Sequence, residues 1–256
     1  MQVVWFAPYM EGYEASTYGD RIADVYDTWF SHAALDTEGA VEFLVGLAGT
    51  GPALELAIGT GRIALPLAAR GLEVHGIDVS EAMVAKLREK PGGEVIPVTM
   101  GNFADVGVEG HFPLVFIVFN TFFALLTQEE QVRCFENVAA RLADDGAFVI
   151  EAFVPDLSRF DATGQRTEAT RIDADGVVLT FSRVDTSTQQ VESLAAVVSE
   201  QGFKTYPVGI RFAWPSELDL MARLAGLRLR DRWADWDQNP FDARSTKHVS
   251  VYERVR

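Results

Sequence analysis

Between about residues 20 and 150 the chain alternates short, continuously apolar runs with segments whose apolar residues recur at helical spacing. Pro52–Ile58 reads as a strand and ends at Gly59. Arg62–Arg70 has helical periodicity, with Leu65, Leu67 and Ala68 towards a sheet and Pro66 implying a late start or a bend. Glu73–Asp78 is the second strand. Ser80 and Glu81 open a helix over 80–90, where an N-cap residue, an early acid and late Lys and Arg all favour helix. Val95–Met100 and Leu114–Phe119 are the third and fourth strands. The fourth is apolar throughout, as expected of a strand covered on both faces. Gln128–Leu142 reads as a helix and Ala147–Phe153 as the fifth strand. Such alternation predicts an α/β fold with a parallel sheet joined by right-handed crossovers.

From about 166 to 213 the rhythm changes. RTEATRID, VVLTFSRVD, QVESLAAVVSE and KTYPVGIRFAW alternate with turn-forming residues, which predicts an antiparallel meander inserted over residues 163–213. Ser216–Leu224 returns to helical spacing, with Pro215 at its start and Gly226 after its end. LRLRDRWAD and KHVSVYERV close the chain as two strands around a loop at Asn239–Pro240.

The 256 residues fit one domain, 1–256, carrying that insert, and 48% hydrophobic content supplies a large core. Charge narrows the function more. With 37 acidic residues against 22 basic ones the net charge is -15, which argues against nucleic acid and anionic membranes as partners. The lone cysteine, Cys134, can form neither an internal disulfide nor a cysteine zinc site, and no metal is expected. The N-terminus carries no signal-peptide pattern, and the longest apolar run is interrupted by Asn120 and Thr121. A cytoplasmic, soluble protein is the expectation.

The chemistry concentrates in Glu55-Leu56-Ala57-Ile58-Gly59-Thr60-Gly61-Arg62 and in Asp78 at the end of the next strand. The strand delivers an acid, then a turn in which glycines let a ligand touch the backbone, then a helix with free N–H groups. An acid where Asp78 stands can bind both hydroxyls of a ribose. Together these parts describe an adenosine-containing cofactor. Gly59 to Ala64 also satisfies a loose GxGxxA dinucleotide pattern. Glu55 argues against NAD, because a pyrophosphate gains nothing from a negative charge, whereas an ammonium group is stabilised by it. A bracing role in the loop is the structural alternative for Glu55.

This run resembles the first motif of class I S-adenosylmethionine-dependent methyltransferases, and the resemblance extends from about Tyr18 to the C-terminus. It implies a Rossmann-like, seven-stranded, mostly parallel sheet with an antiparallel β insert roofing the acceptor site. It implies S-adenosyl-L-methionine as cofactor, released as S-adenosyl-L-homocysteine. Glu55, Ala57, Gly59 and Gly61 would contact or admit the methionine part, with Tyr18 and Arg62 on its carboxylate. Asp78 would bind the ribose and Val79 would line the adenine. Asn102 and Phe103 stand where many relatives carry an acid for the adenine amino group; an asparagine accepts through its carbonyl oxygen instead. Phe119 and Asn120 would lie beneath the sulfonium. Residues 1–45 resemble the helical lid of small-molecule methyltransferases, and the insert resembles that of bacterial sugar N-methyltransferases and glycine N-methyltransferase.

For the acceptor, Tyr26, Trp29, Phe122, Phe123, Phe153 and Trp214 are candidates for an aromatic-lined pocket, and core packing is the alternative for each. Candidate bases are His32, after the aromatic segment, His248, at the start of the last strand, and Glu151, near the carboxyl end of the fifth. Each also has a purely structural reading. Nitrogen, oxygen and carbon acceptors stay open at this point. A non-catalytic cofactor-binding scaffold and an NAD-dependent oxidoreductase are the alternatives, and a homodimer is an expectation.

Overall fold

The computed structural model describes residues 10–30, 36–174, 176–200 and 202–255. In chain order these form α1 (Thr17–Trp29), α2 (Thr37–Ala48), β1 (Ala53–Leu56), α3 (Ala64–Ala69), β2 (Val74–Asp78) and α4 (Glu81–Arg88). There follow β3 (Val98–Met100), β4 (Phe112–Ile117), α5 (Gln128–Arg141) and β5 (Leu142–Phe153). The remainder is β6 (Gln165–Asp173), β7 (Gly176–Asp185), β8 (Gln190–Ser199), β9 (Gly202–Arg211), α6 (Pro215–Leu224), β10 (Leu227–Trp233) and β11 (Lys247–Arg254).

The main sheet is seven-stranded, in the order β10-β11-β5-β4-β1-β2-β3. β3, β2, β1, β4 and β5 pair in parallel, and β11 runs antiparallel to both its neighbours. β4 explains why its sequence is apolar at every position. Leu114 and Phe116 pack with α2 and α3 on one face, while Val115 and Ile117 pack with α5 and α6 on the other. Caps mark the helix starts as the sequence leads one to expect: Met83 N–H donates to the Ser80 hydroxyl, and Thr127 with Glu130 forms a capping box.

Several boundaries differ from the sequence reading, β4 lying two residues earlier at Phe112–Ile117. α3 starts at Ala64, which leaves Pro66 in the first turn, where a missing N–H breaks no intrahelical bond. The third strand is only Val98–Met100, because Gly93–Val95 coils as a short 3-10 turn. β5 begins at Leu142, paired with Phe112, and a register shift carries exposed Asp144 and Asp145 past the sheet edge.

β6 to β9 form a separate four-stranded antiparallel sheet. It is joined to the core by a buried polar strut. Arg211, 5% exposed, donates to Gln131 Oε1 at 2.6 Å and to Glu217 Oε1 at 2.8 Å, linking β9 to α5 and α6. α1 lies against β9, with the rings of Trp29 and Tyr206 4.8 Å apart. Within the segment expected as a lid, α2 behaves differently from α1: it buries Ala40, Val41 and Leu44 in the main core. No helix among the described residues is long and apolar enough to cross a membrane.

Phe135 is the hub of the α5 face, with Phe148, Phe122 and Tyr252 at ring-centroid distances of 5.3, 5.4 and 5.5 Å. Phe135→Ala is expected to cost about 3–5 kcal/mol, read as a lower urea midpoint with an unchanged slope.

Candidate active site

Strand order reverses between β1 and β4, and there the carboxyl ends of the parallel strands diverge into a crevice. A cavity of about 340 Å³ opens at this point. Its floor is built by the turns after β1, β2 and β4. Its other walls come from α1, the end of β5 and the C-terminal part of β9.

The turn after β1 needs its glycines for two different reasons. Gly59 has φ +56 and lines the cavity; a Cβ there would meet Met83 Cε at 3.4 Å and the Ala57 carbonyl oxygen at 4.0 Å. Gly61 has φ +79 and faces away: a Cβ would lie 2.4 Å from Leu87 Cδ1. The first glycine therefore leaves room for a ligand, and the second lets the turn pack on α4. Ala57, Phe119 and Asn120 also hold positive φ values of 57°, 57° and 62° and all line the cavity. For residues with a Cβ such backbone costs about 1–3 kcal/mol and clusters at functional sites.

Asp78 ties two of these turns together. Its Oδ2 accepts the Gly59 N–H at 2.7 Å and its Oδ1 the Ser80 N–H at 2.8 Å. Burial pushes this carboxyl above its usual value, while the N–H groups of Ser80, Gly59 and Val79 pull it down. Each oxygen keeps a second lone pair for a ligand hydroxyl.

Glu55 is the more unusual acid. It is 4% exposed, it lines the cavity, and its Oε2 has no hydrogen-bond partner among the described residues. Burial pushes its carboxyl up to about 8, opposed by the Arg62 guanidinium and the Ala64 N–H. Arg62 in turn donates to Thr37 Oγ1 at 3.0 Å and lies over the Phe119 ring. An unpartnered carboxylate oxygen beside a cavity is a site for a cationic or hydrogen-bond-donating ligand.

Comparison with known proteins decides the family. Residues 53–146 match the family described as Methyltransferase domain. The solved structure of the CcbJ methyltransferase from Streptomyces caelestis is 41% identical, covering 95% of this chain and 100% of that chain, with a TM-score of 0.89. The chain belongs to the class I S-adenosylmethionine-dependent methyltransferases. The cypemycin N-terminal methyltransferase of a Streptomyces species is 28% identical to this methyltransferase over 203 residues, 78% of this chain and 82% of that one. CalS10, an amino pentose methyltransferase from Micromonospora echinaspora involved in calicheamicin biosynthesis, shares the fold at 19% identity and a TM-score of 0.66, covering 90% of this chain and 97% of its own.

In this methyltransferase the cavity gathers Tyr18, Tyr26, Glu55, Ala57, Gly59, Arg62, Asp78, Val79, Phe103, Phe119, Asn120 and Phe153 from the residues expected at the site. Others lie elsewhere, each for an identifiable reason. Asn102 is off the wall, because its Oδ1 accepts the Ala104 N–H and closes an Asx turn. Phe122 and Phe123 are fully buried, since a 3-10 turn over Thr121–Ala124 directs them into the core. Trp29 packs on Tyr206, and Trp214, at the start of α6, is 40% exposed.

Two of the candidate bases are corrected as well. Glu151 is off the cavity wall, its Oε2 accepting the Phe119 N–H at 2.9 Å and its Oε1 the Trp236 indole N–H at 3.2 Å. His248 is fully buried away from the cavity, its Nδ1 2.8 Å from the Ser250 hydroxyl. Burial, with the Arg232 charge, pushes it down to about 3, so it stays neutral. His32 lies outside the described residues. Sequence reasoning missed Tyr13, Thr60 and the β9 wall of Val208, Gly209 and Ile210. Gly209, a glycine inside a strand, was the available signal: a Cβ there would come within 3.2 Å of the Tyr13 ring.

A carboxyl whose folded pKa is raised binds more protons when folded, so stability falls as pH rises from the usual carboxylate value towards about 8. Glu55→Gln removes that slope. The ligand-free variant should match the wild type near pH 4 and exceed it by a margin that grows by about 1.4 kcal/mol per pH unit towards pH 8, measured by thermal unfolding.

Proposed function

We propose that the enzyme transfers the methyl group of S-adenosylmethionine to an amine nitrogen of a small, largely apolar acceptor in specialised-metabolite biosynthesis. The observation that carries the cofactor assignment is Glu55 Oε2, buried and unpartnered on a wall shared with Asp78 and Gly59. These groups fit the cofactor's ammonium, its ribose hydroxyls and a backbone approach. Arg62 and Tyr18 would hold the carboxylate end, and Val79, Met83 and Phe103 give an apolar lining for the adenine. When bound, the cofactor supplies a methyl carbon activated by its sulfonium.

The acceptor assignment rests on what the remaining wall offers. Phe30, Phe153, Val208 and Ile210 are apolar, and Tyr13, Tyr26, Asn120 and Thr121 are its neutral polar groups. No imidazole belongs to the described wall, and its only carboxylates are Glu55 and Asp78. Such a wall orients an acceptor and excludes water but takes no proton from it, which suits a neutral amine with a free lone pair. Two relatives are named as an N-terminal methyltransferase and an amino pentose methyltransferase, and a chain N-terminus and an amino sugar each carry an amine. Turnover of any acceptor would reject the non-catalytic scaffold.

Calorimetric titration with S-adenosylhomocysteine is expected to saturate, while NAD gives no binding heat; the reverse would sink the assignment. Asp78→Ala should raise the S-adenosylhomocysteine Kd at least tenfold. At pH 7, binding should release about one proton as Glu55 ionises beside the ammonium, read from titrations in buffers of different ionisation heat.

For the acceptor half, log(kcat/KM) should climb with pH at unit slope to the pKa of the acceptor's own ammonium. His32→Ala should keep its cofactor affinity and lose less than about tenfold in kcat/KM, below the ~10²–10⁴ of general-base catalysis. A loss above a hundredfold would make His32 the base and favour a hydroxyl acceptor.

A further inference from the structure

α1 carries two adjacent stripes. Tyr18 and Tyr26 line the cavity, and Ile22 between them is buried. Beside these run Asp20, Asp24 and Asp27, whose i, i+4, i+7 spacing puts them on one face. A row of acids on a helix is ordinarily solvated. Here each meets a partner on the frame of the site.

Asp20 Oδ1 accepts the Ser80 hydroxyl at 2.6 Å. Asp24 Oδ1 lies 3.1 Å from Lys86 Nζ. Asp27 Oδ1 accepts the Thr60 hydroxyl at 2.7 Å, and its Oδ2 pairs with Lys90 Nζ at 2.7 Å. Lys90 also donates to the Thr60 carbonyl at 2.8 Å. Thr60, 1% exposed between the two glycines, is thus gripped at its hydroxyl and its carbonyl by the two halves of one ion pair.

These bonds close a circuit. It leaves α1 at Asp20, reaches Ser80, passes through the Asp78 carboxylate to the Gly59 N–H, and returns from Thr60 to Asp27. Both turns that hold Asp78 and Gly59 are therefore tied to α1 from outside the cavity. Gly19 lets the helix come this close, since a Cβ there would lie 2.6 Å from Ser80 Cβ. The three acids are unequal. Asp24 is 88% exposed, so its pair has the small worth of a surface salt bridge. The bonds of Asp20 and Asp27 to hydroxyls are part-buried and carry the connection.

We propose that Asp20 and Asp27 are positioning residues for the cofactor, coupling the docking of α1 to the geometry of the glycine turn and the Asp78–Ser80 turn. The proposal rests on the reading of this cavity as the cofactor site. Because coupling free energies are reciprocal, bound cofactor must hold α1 down by the same factor by which docked α1 tightens binding. A purely structural pair of aspartates would lower stability without that reciprocity.

The test combines S-adenosylhomocysteine titration with hydrogen exchange of the α1 amides in the intact protein, for wild type, Asp20→Ala, Asp27→Ala and Asp27→Asn. Both alanine variants should raise the Kd at least tenfold and speed α1 exchange in the ligand-free protein. Asp27→Asn keeps an acceptor for Thr60 and loses the ion pair, so it should fall between wild type and Asp27→Ala on both measures. In wild type the ligand should slow α1 exchange. Kd values within twofold of wild type in folded variants, or raised Kd with unchanged α1 exchange, would overturn the proposal. If Asp27→Ala fails to fold, Asp27→Asn decides by the same two measures. Wild type that binds no S-adenosylhomocysteine would instead overturn the cofactor reading beneath it.

Discussion

The hydrogen bond from the Gly59 amide to the buried Asp78 carboxylate is the interaction on which the site depends. It joins the turn after β1 to the end of β2, the two places where a parallel sheet presents free backbone to one side. Parallel pairing puts both strand ends on the same edge, and helices on both faces force the strands to be apolar through their length. Buried polar groups within such strands need partners. Asp78, at the end of β2, is tolerated because backbone N–H groups point at it.

Glu55 shows the opposite solution. It lies only four residues before Gly59, yet its Oε2 is left without a partner. A protein evolving for stability alone would replace it, since an uncompensated buried carboxylate weakens the fold wherever it is ionised. Its retention beside a cavity, with positive-φ backbone at Ala57, Phe119 and Asn120, places the least comfortable chemistry of the molecule around one volume.

Much of this was legible in the sequence. The alternation of apolar runs and helical segments, the change of rhythm near residue 166, the Ser80 cap and the spacing from Gly59 to Asp78 are local features, and the structure reproduces them. What was not legible depends on side-chain direction. Phe122, Phe123 and Phe153 are the same residue type near the same strand ends, but only Phe153 reaches the cavity. Glu151 has the right chemistry at the right end of β5, yet it lies off the cavity wall and accepts the Phe119 and Trp236 N–H groups. The ties of Asp20 and Asp27 are not local features, because their partners lie 60 and 33 residues away in sequence.

The roof over the cavity belongs to a different sheet from the floor, and the two are joined through Arg211 and the α1–β9 contact. The β9 wall and the turns that carry Gly59 and Asp78 are therefore separate pieces of backbone facing one cavity. Val208 and Ile210 line the cavity from β9, on a different sheet from the strands whose turns carry the bond between Gly59 and Asp78. An enzyme divided in this way can change the molecule it modifies through a few substitutions in one strand, while the chemistry beneath stays constant. Lineages that diversify small molecules would have such a roof as their most mutable surface, and laboratory selection for new acceptors has its natural starting point there.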